Sequence, residues 1–277
     1  MLAQTFTDWE VIFWDNQSDD RTASIVQGMD DARIRFLRAP CRMTLAQGRN
    51  AAMARASGRW IAFLDCDDRW FPDKLERQLA RLAEHGGAGV GIVYGRTKSF
   101  SARGSEGETI YRYTGRPLPE GRIVQLLLEQ GNLIPIVSAL VSRAAVDAVG
   151  PIPETYTFAE DYYLFTAIAE RFDVLCVQTP CCEYRVHPDS ATARNKLTGL
   201  REGLIVLEQF AHLLSADALG RRRAILGTLI AIELVRSEGR LGAGLMHGLR
   251  HGSPTFLLGG MARTLIRRWI YRQRPYS

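Results

Sequence analysis

The segment WIAFLDCDDRW, residues 60–70, decides the fold of this chain. Its apolar first half ends in three carboxylates within four residues, DCDD at residues 65–68, which predicts a buried strand with acidic side chains at its C-terminal end. Ligands bind at that end of the strands in an open α/β sheet. Since clustered carboxylates repel one another, the segment predicts a site for Mg²⁺ or Mn²⁺ and a phosphorylated substrate. Asp68 also fits a cap for the following helix.

A second apolar strand, Trp9–Trp14, ends at Asp15, whose carboxylate suits a nucleobase imide or a sugar hydroxyl. Further strands are predicted at residues 33–37, 90–94, 136–141 and 174–177, and helical patterns lie between them. This alternation predicts an α/β fold with a largely parallel sheet. Residues 1–8 are expected to end a helix, and residues 97–108 to form a loop.

Other charged side chains sit at the ends of predicted elements. Arg49 lies on an Ala-rich helix and fits a nucleotide contact or a plain surface position. Glu160 and Asp161 open a helix, where acids are ordinary partners of the helix dipole and where a carboxylate can also serve as a general base. Arg185 and His187 share one face of an extended segment, which suits a diphosphate or a metal.

Composition and charge limit the class of protein. The 277 residues include 46% hydrophobic and 23% charged residues, as in globular proteins. Five cysteines without C-x-x-C spacing indicate a reducing compartment. No signal peptide is recognised, and the apolar run near residues 225–235 is too short to span a bilayer. A cytoplasmic or peripheral protein is expected.

The C-terminal residues 239–277 contain seven Arg and no Asp or Glu. A basic segment favours anionic surfaces, and the absence of nucleic-acid-binding motifs ranks an anionic membrane above nucleic acid. Its apolar residues at helical spacing fit either membrane contact or packing on the domain itself. They are Leu257, Met261, Leu265 and Trp269.

The order of these motifs resembles the family 2 nucleotide-sugar glycosyltransferases, which have the GT-A fold. The resemblance is carried by QTFTDWEVIFWDNQSDDRT, GRNAAMARASGRWIAFLDCDDRWFPDKLERQ, AEDYYL and YRVHPDSAT. It implies a GT-A domain over residues 1–192, a helical basic region over residues 193–277, and an inverting, metal-dependent sugar transfer. The donor would be a nucleoside diphosphate sugar, with a UDP-sugar expected, and the acceptor a glycan or a lipid-linked sugar.

The resemblance also implies a role for each acidic or basic residue. Asp161 would be the catalytic base, and Asp67 and His187 would hold Mn²⁺ or Mg²⁺. The other residues would bind the substrate, with Asp15 at the nucleobase and Asp65 at the ribose. The substrate-binding residues would be Asp15, Arg49, Asp65, Glu160 and Arg185.

Family members normally begin with one more strand, before the Gln4 and Thr5 of this chain. The true start is therefore expected upstream. The alternative hypothesis is a catalytically inactive, membrane-associated binding module that retains the glycosyltransferase fold.

Overall fold

The computed structural model describes residues 1–101, 104–108, 113–187, 189–237 and 246–247. Its strands are β1 Val11–Asp15, β2 Ile34–Arg38, β3 Trp60–Ala62, β4 Arg69–Trp70, β5 Val90–Ser101, β6 Gly104–Glu108, β7 Leu140–Ser142 and β8 Asp173–Arg185. Its helices are α1 Thr22–Gln27, α2 Leu45–Met53, α3 Lys74–His85, α4 Val124–Gln130, α5 Arg143–Val149, α6 Glu160–Arg171, α7 Ala191–Arg194, α8 Lys196–Gln209 and α9 Ala216–Ser237.

The described strands form two sheets in an α/β architecture, as predicted. β1 and β2 form a parallel pair, and the other sheet has the order β3-β7-β5-β8-β4 with β6 on β5. The pairing is more mixed than predicted: β5–β8 is parallel, but β3–β7, β5–β7, β4–β8 and β5–β6 are antiparallel. Alternating helices and strands indicate which segments cross over, but they do not fix the direction in which a short strand such as β7 joins the sheet.

The parallel pair β5–β8 is the buried centre of the larger sheet, and α6 packs against it. A Cβ atom added to Gly91 of β5 would lie 2.6 Å from the Cβ of Phe172 and would also overlap Ile168. Only glycine therefore permits this approach of helix to strand. The contact sets the position of α6, whose first residues are Glu160 and Asp161.

The prediction of a loop over residues 97–108 is wrong. β5 continues to Ser101 and pairs with the antiparallel β6. The polar composition suggested a loop, yet Thr97 and Ser99 are buried and pair with Cys182 and Tyr184 on β8.

Two further local predictions are wrong. Residues 1–8 contain no helix: the Thr5 N–H donates to Pro72 O over 2.8 Å, and the Gln4 side chain donates to Phe71 O over 2.7 Å. Residues 136–138 form a 3₁₀ turn before β7, because the Pro135 carbonyl accepts both the N–H and the hydroxyl of Ser138.

The chain divides into two compact units. One comprises residues 1–127 and 132–190 and contains both sheets. The other comprises residues 128–131 and 191–277, and its described part includes the paired helices α8 and α9. Within the described residues, no helix has both the length and the apolar character that a membrane crossing requires. The predicted apolar face from Leu257 to Trp269 and all seven arginines of the basic segment lie outside the described residues.

Candidate functional site

The acidic turn after β3 separates one buried carboxylate from two accessible ones. The Asp68 N–H donates to Asp65 O over 3.1 Å and closes the turn. Asp68 is buried, and its Oδ1 accepts the Arg185 N–H over 2.8 Å. Burial raises the pKa of Asp68 to about 7, and the Arg185 N–H opposes that rise. Asp68 therefore joins the turn to the end of β8 and leaves the half-exposed Asp65 and Asp67 as the candidate ligands.

The predicted metal residues lie together. His187 Nε2 lies 3.1 Å from Asp67 Oδ2, although 120 residues separate them in sequence. Arg185 donates from Nε to Asp67 O over 3.1 Å. Asp68 fixes the Arg185 backbone, so these contacts hold the His187 segment against the acidic turn.

Arg49 connects the acidic turn to the start of α6. Its Nη1 forms an ion pair with Glu160, and its Nη2 lies 3.4 Å from Asp65 Oδ1. The Glu160 side chain is only 3% exposed. Burial raises the pKa of Glu160, and the Arg49 charge limits the rise. The helix carrying Arg49 begins at a capping box formed by Thr44 and Gln47, which fixes its first turn.

Both carboxylate oxygens of Asp161 accept hydrogen bonds. Asn132 Nδ2 donates to Oδ2 over 3.0 Å, and the Tyr162 N–H donates to Oδ1 over 2.6 Å. Burial raises the pKa of Asp161, whereas Arg49 and the Tyr162 N–H lower it. Asn132 could not be identified from the sequence, because a single Asn between a helix and an apolar segment matches no catalytic motif.

Asp15 stands apart from these direct contacts. It is buried at the end of β1, where its Oδ1 accepts the Ser18 N–H over 2.9 Å and its Oδ2 lies 3.5 Å from Arg38 Nη1. The Ser18 hydrogen bond is the main cause of its lowered pKa. Burial, then the charges of Asp65 and Asp67, and to a smaller extent that of Asp15, raise the pKa of the Cys66 thiol. Asp15 therefore lies near the acidic turn without bonding to it.

The donor set fits a cation that shares its coordination with phosphate. Within the described residues, no group of three or more His, Cys, Asp or Glu side chains surrounds a common point. Mg²⁺ and related ions are usually held by one or two carboxylates together with water and substrate phosphates. Asp67 offers such a carboxylate, and His187, whose Nε2 lies beside it, would add an imidazole nitrogen. Some buried carboxylate oxygens of the described residues also lack a hydrogen-bond donor, among them Asp15 Oδ2, Asp68 Oδ2 and Glu160 Oε2.

Comparison with known proteins adds independent findings. The family model described as glycosyl transferase family 2 matches residues 1–150. The chain is similar to the Escherichia coli UDP-Glc:alpha-D-GlcNAc-diphosphoundecaprenol beta-1,3-glucosyltransferase WfgD, with 28% identity over 214 residues, 76% of this chain and 79% of that protein. It is also 37% identical over 91 residues to the succinoglycan biosynthesis protein ExoO of Rhizobium meliloti, a match that covers 33% of this chain and only 26% of that protein.

Among solved structures, the chain resembles the mannosyltransferase PcManGT from Pyrobaculum calidifontis in complex with GDP-Man and Mn²⁺. The TM-score is 0.55 at 15% identity, over 99% of this chain and 81% of that chain. At this identity the similarity concerns the fold.

Proposed function

Because this chain belongs to glycosyl transferase family 2 and is a glycosyltransferase, we propose that it transfers a sugar from a UDP-sugar to a lipid-linked acceptor in bacterial cell-surface polysaccharide synthesis. The family, the enzyme class and the GT-A fold predicted from the sequence are thereby confirmed. WfgD supports the proposed substrates, since its name specifies a UDP-sugar donor and a diphosphoundecaprenol-linked acceptor.

The observation that supports this function best is a continuous chain of contacts within one unit. His187 contacts Asp67 in the acidic turn, and Arg49 contacts both Asp65 in that turn and Glu160 on α6. Asp161 follows Glu160 directly. These contacts support the proposal that carboxylates from the turn and from the helix act on one donor molecule.

Asp161 is proposed as the general base. An acceptor hydroxyl is a weak nucleophile, so an Asp161 oxygen removes its proton as the hydroxyl attacks the anomeric carbon opposite the diphosphate. This single displacement inverts the anomeric configuration. Base catalysis typically contributes ~10²- to 10⁴-fold, or about 3–5 kcal/mol. Stabilisation of the leaving diphosphate is expected to contribute the larger part of the rate enhancement.

The leaving diphosphate is assigned to the acidic turn and the end of β8. Asp67 and His187 would hold Mn²⁺ or Mg²⁺, which supplies positive charge for the departing phosphate oxygens. The Arg185 guanidinium lies next to Asp67, because its Nε donates to Asp67 O, and it is proposed to add positive charge for the same phosphate oxygens. Asp15 is proposed to accept hydrogen bonds from the nucleobase of the donor, and Asp65 from its ribose.

The proposed acceptor places the enzyme at the inner face of the membrane. A lipid-linked sugar stays in the bilayer, so transfer to such an acceptor takes place at the membrane surface. The seven arginines of residues 239–277 suit anionic headgroups. Liposome flotation tests this: binding should depend on anionic lipid and on residues 255–277, and flotation independent of both would contradict it.

A transfer assay tests the function itself. The full chain is incubated with UDP-sugars, a polyprenyl diphosphate-linked acceptor and Mn²⁺, and the product is analysed by NMR. We expect a product of inverted anomeric configuration, activity that chelation abolishes, and recovery on addition of metal. Retention of configuration, or full activity under chelation, would contradict the proposal. Metal-dependent UDP binding without any transfer would favour the inactive binding module.

A further inference from the structure

Asn132 has its amide orientation fixed by the backbone. Its Oδ1 accepts the Ile134 N–H over 3.1 Å, so that the oxygen is already engaged. Its Nδ2 must therefore face the other way, and there it donates to Asp161 Oδ2 over 3.0 Å. A flipped amide would lose both hydrogen bonds, because it would set a donor against a donor and an acceptor against an acceptor.

Asn132 is the side chain that holds Asp161 from outside α6. The Asp161 oxygen Oδ1 bonds to the Tyr162 N–H of the same helix. Within the described residues, Asn132 is the side chain that donates a hydrogen bond to Oδ2. Asn132 is exposed, so this hydrogen bond lies where an acceptor molecule can reach it. The charged groups that act on Asp161 are Arg49, Asp65 and Glu160.

We propose that Asn132 is a positioning residue for the catalytic base: it orients the Asp161 carboxylate toward the acceptor hydroxyl and keeps it ionised. This inference rests on the proposed function. A donated hydrogen bond stabilises the charged form of a carboxyl group. Burial and the charges of Asp65 and Glu160 favour protonation of Asp161, whereas Arg49 and the backbone N–H groups of Tyr162 and Asp161 oppose it. Loss of the Asn132 donor removes one hydrogen bond from the side that favours the ionised form.

The expected effect is a change in both rate and pH dependence. Asn132→Ala should lower kcat about tenfold, since an unrestrained carboxylate is less often in the reactive orientation. It should move the acidic limb of the pH–rate profile up by roughly half to one pH unit. The direction follows because transfer needs ionised Asp161, and a raised pKa removes that form at a higher pH. The KM for the UDP-sugar should stay within about twofold, because the side-chain hydrogen bonds of Asn132 within the described residues are to Asp161 and Ile134 and not to a proposed donor-binding residue.

Two substitutions at the same position separate positioning from packing. Asn132→Gln keeps the amide donor on a longer side chain and should return the acidic limb part of the way to the wild-type value. Asn132→Asp places a second carboxylate beside Asp161, so the limb should move further up and kcat should fall more than in Asn132→Ala. If Asn132 only packed against its neighbours, the acidic limb would not move progressively upward from Asn132→Gln to Asn132→Ala to Asn132→Asp.

Asn50 provides a matched control. Like Asn132, it makes two side-chain hydrogen bonds, but both are with Ile152: it donates to Ile152 O over 2.7 Å and accepts the Ile152 N–H over 3.0 Å. Among the described residues, Asn50 has no hydrogen bond to a carboxylate. Asn50→Ala should therefore reduce stability without moving the acidic limb.

A measurement independent of turnover distinguishes the possible failures. In ¹³C NMR titrations of the carboxyl carbons, assigned with Asp161→Asn, the Asp161 signal should titrate at a higher pH in Asn132→Ala than in the wild type. An unchanged titration, or an Asn50→Ala shift of the same size, would overturn the proposal. If Asp161→Asn leaves transfer intact, the base assignment in the proposed function fails. If the wild type is active and Asn132→Ala has the same kinetics, the positioning role of Asn132 is contradicted while the proposed function stands.

Discussion

Arg49 of α2 forms an ion pair with Glu160 at the start of α6, across 111 residues of sequence. Both side chains are largely buried, at 14% and 3% exposure. Removal of one partner leaves the other charge in a poorly solvated place, which is far costlier than removal of both. The ion pair therefore links the stability of this unit to the geometry of the proposed site.

Arg49→Met should destabilise the protein by about 3 kcal/mol at pH 8, because Glu160 then lacks its cation. The loss should be smaller at pH 5.5. The pKa of Glu160 is already raised by burial and rises further without Arg49, so at low pH the folded state holds a proton that removes the buried charge. Urea unfolding at the two pH values measures this. The double variant Arg49→Met/Glu160→Gln should recover most of the loss, and a double variant no more stable than Arg49→Met would show that the pair is not the cause.

Asp67→Ala and His187→Ala should weaken UDP binding in the presence of Mn²⁺ while changing metal-free binding little. Loss of one ligand from a site with two protein ligands should reduce the affinity for UDP with Mn²⁺ by about tenfold or more. Calorimetric titration with UDP, with and without Mn²⁺, separates the two effects. His212→Ala, at an exposed histidine of the other unit, is the control. Equal losses with and without metal would argue against coordination by these side chains.

Gly91→Ala should reduce stability by about 1–3 kcal/mol, because the added methyl group overlaps Ile168 and Phe172 on and after α6. Any shift of α6 moves Glu160 and Asp161, so kcat should fall as well. Gly220→Ala provides a control of opposite sign: a Cβ there meets no atom within 4 Å, and alanine in a helix gains up to about 1 kcal/mol over glycine. Thermal unfolding and kcat measure both variants; a Gly91→Ala enzyme with wild-type stability would refute the close contact.

Lys74 should give the protein a measurable pH dependence of stability at alkaline pH. It is fully buried, with Nζ donating to Gln78 over 2.8 Å and lying 4.1 Å from the centre of the Trp70 ring. Burial lowers its pKa to about 8. The unfolded chain keeps the proton up to about pH 10.4, so the contribution of Lys74 to the free energy of unfolding should rise between these values as the folded state loses the proton. The rise is at most roughly 1.4 kcal/mol per pH unit.

Lys74→Met removes the titrating group and should lack that rise, whereas Lys196→Met, at a half-exposed lysine, should keep it. Urea unfolding at pH 7.5 and pH 9.5 provides the comparison. An identical pH dependence in the wild type and in Lys74→Met would contradict the perturbed Lys74.

The sequence predicted the elements that carry a clear periodic signal. The apolar runs ending at Asp15 and before Asp65 are strands, and the helix beginning at Glu160 lies where expected. The second half of β5 was missed, because Thr97 and Ser99 are polar yet buried. Their burial depends on pairing with β8, about 85 residues away in sequence, and a local pattern does not reveal such pairing.

The site could be predicted in part for the same reason. Carboxylates after an apolar strand are visible in a linear sequence, and so is an acidic pair at a helix start. The contacts of Asp68 with the Arg185 N–H and of Asn132 with Asp161 are made by isolated residues brought together only by folding. In the sequence Asp68 also fits a helix cap, but in the structure it accepts the Arg185 N–H from 117 residues away, a contact that no local pattern indicates.

Replacement of Asp161 by asparagine tests the central claim most directly, since the change keeps the size of the side chain and removes its ability to accept a proton. Single-turnover transfer from a UDP-sugar, measured together with the Kd for UDP and Mn²⁺, separates chemistry from binding. The account predicts a rate lower by ~10²- to 10⁴-fold with an unchanged Kd. A transfer rate equal to that of the wild type would contradict it.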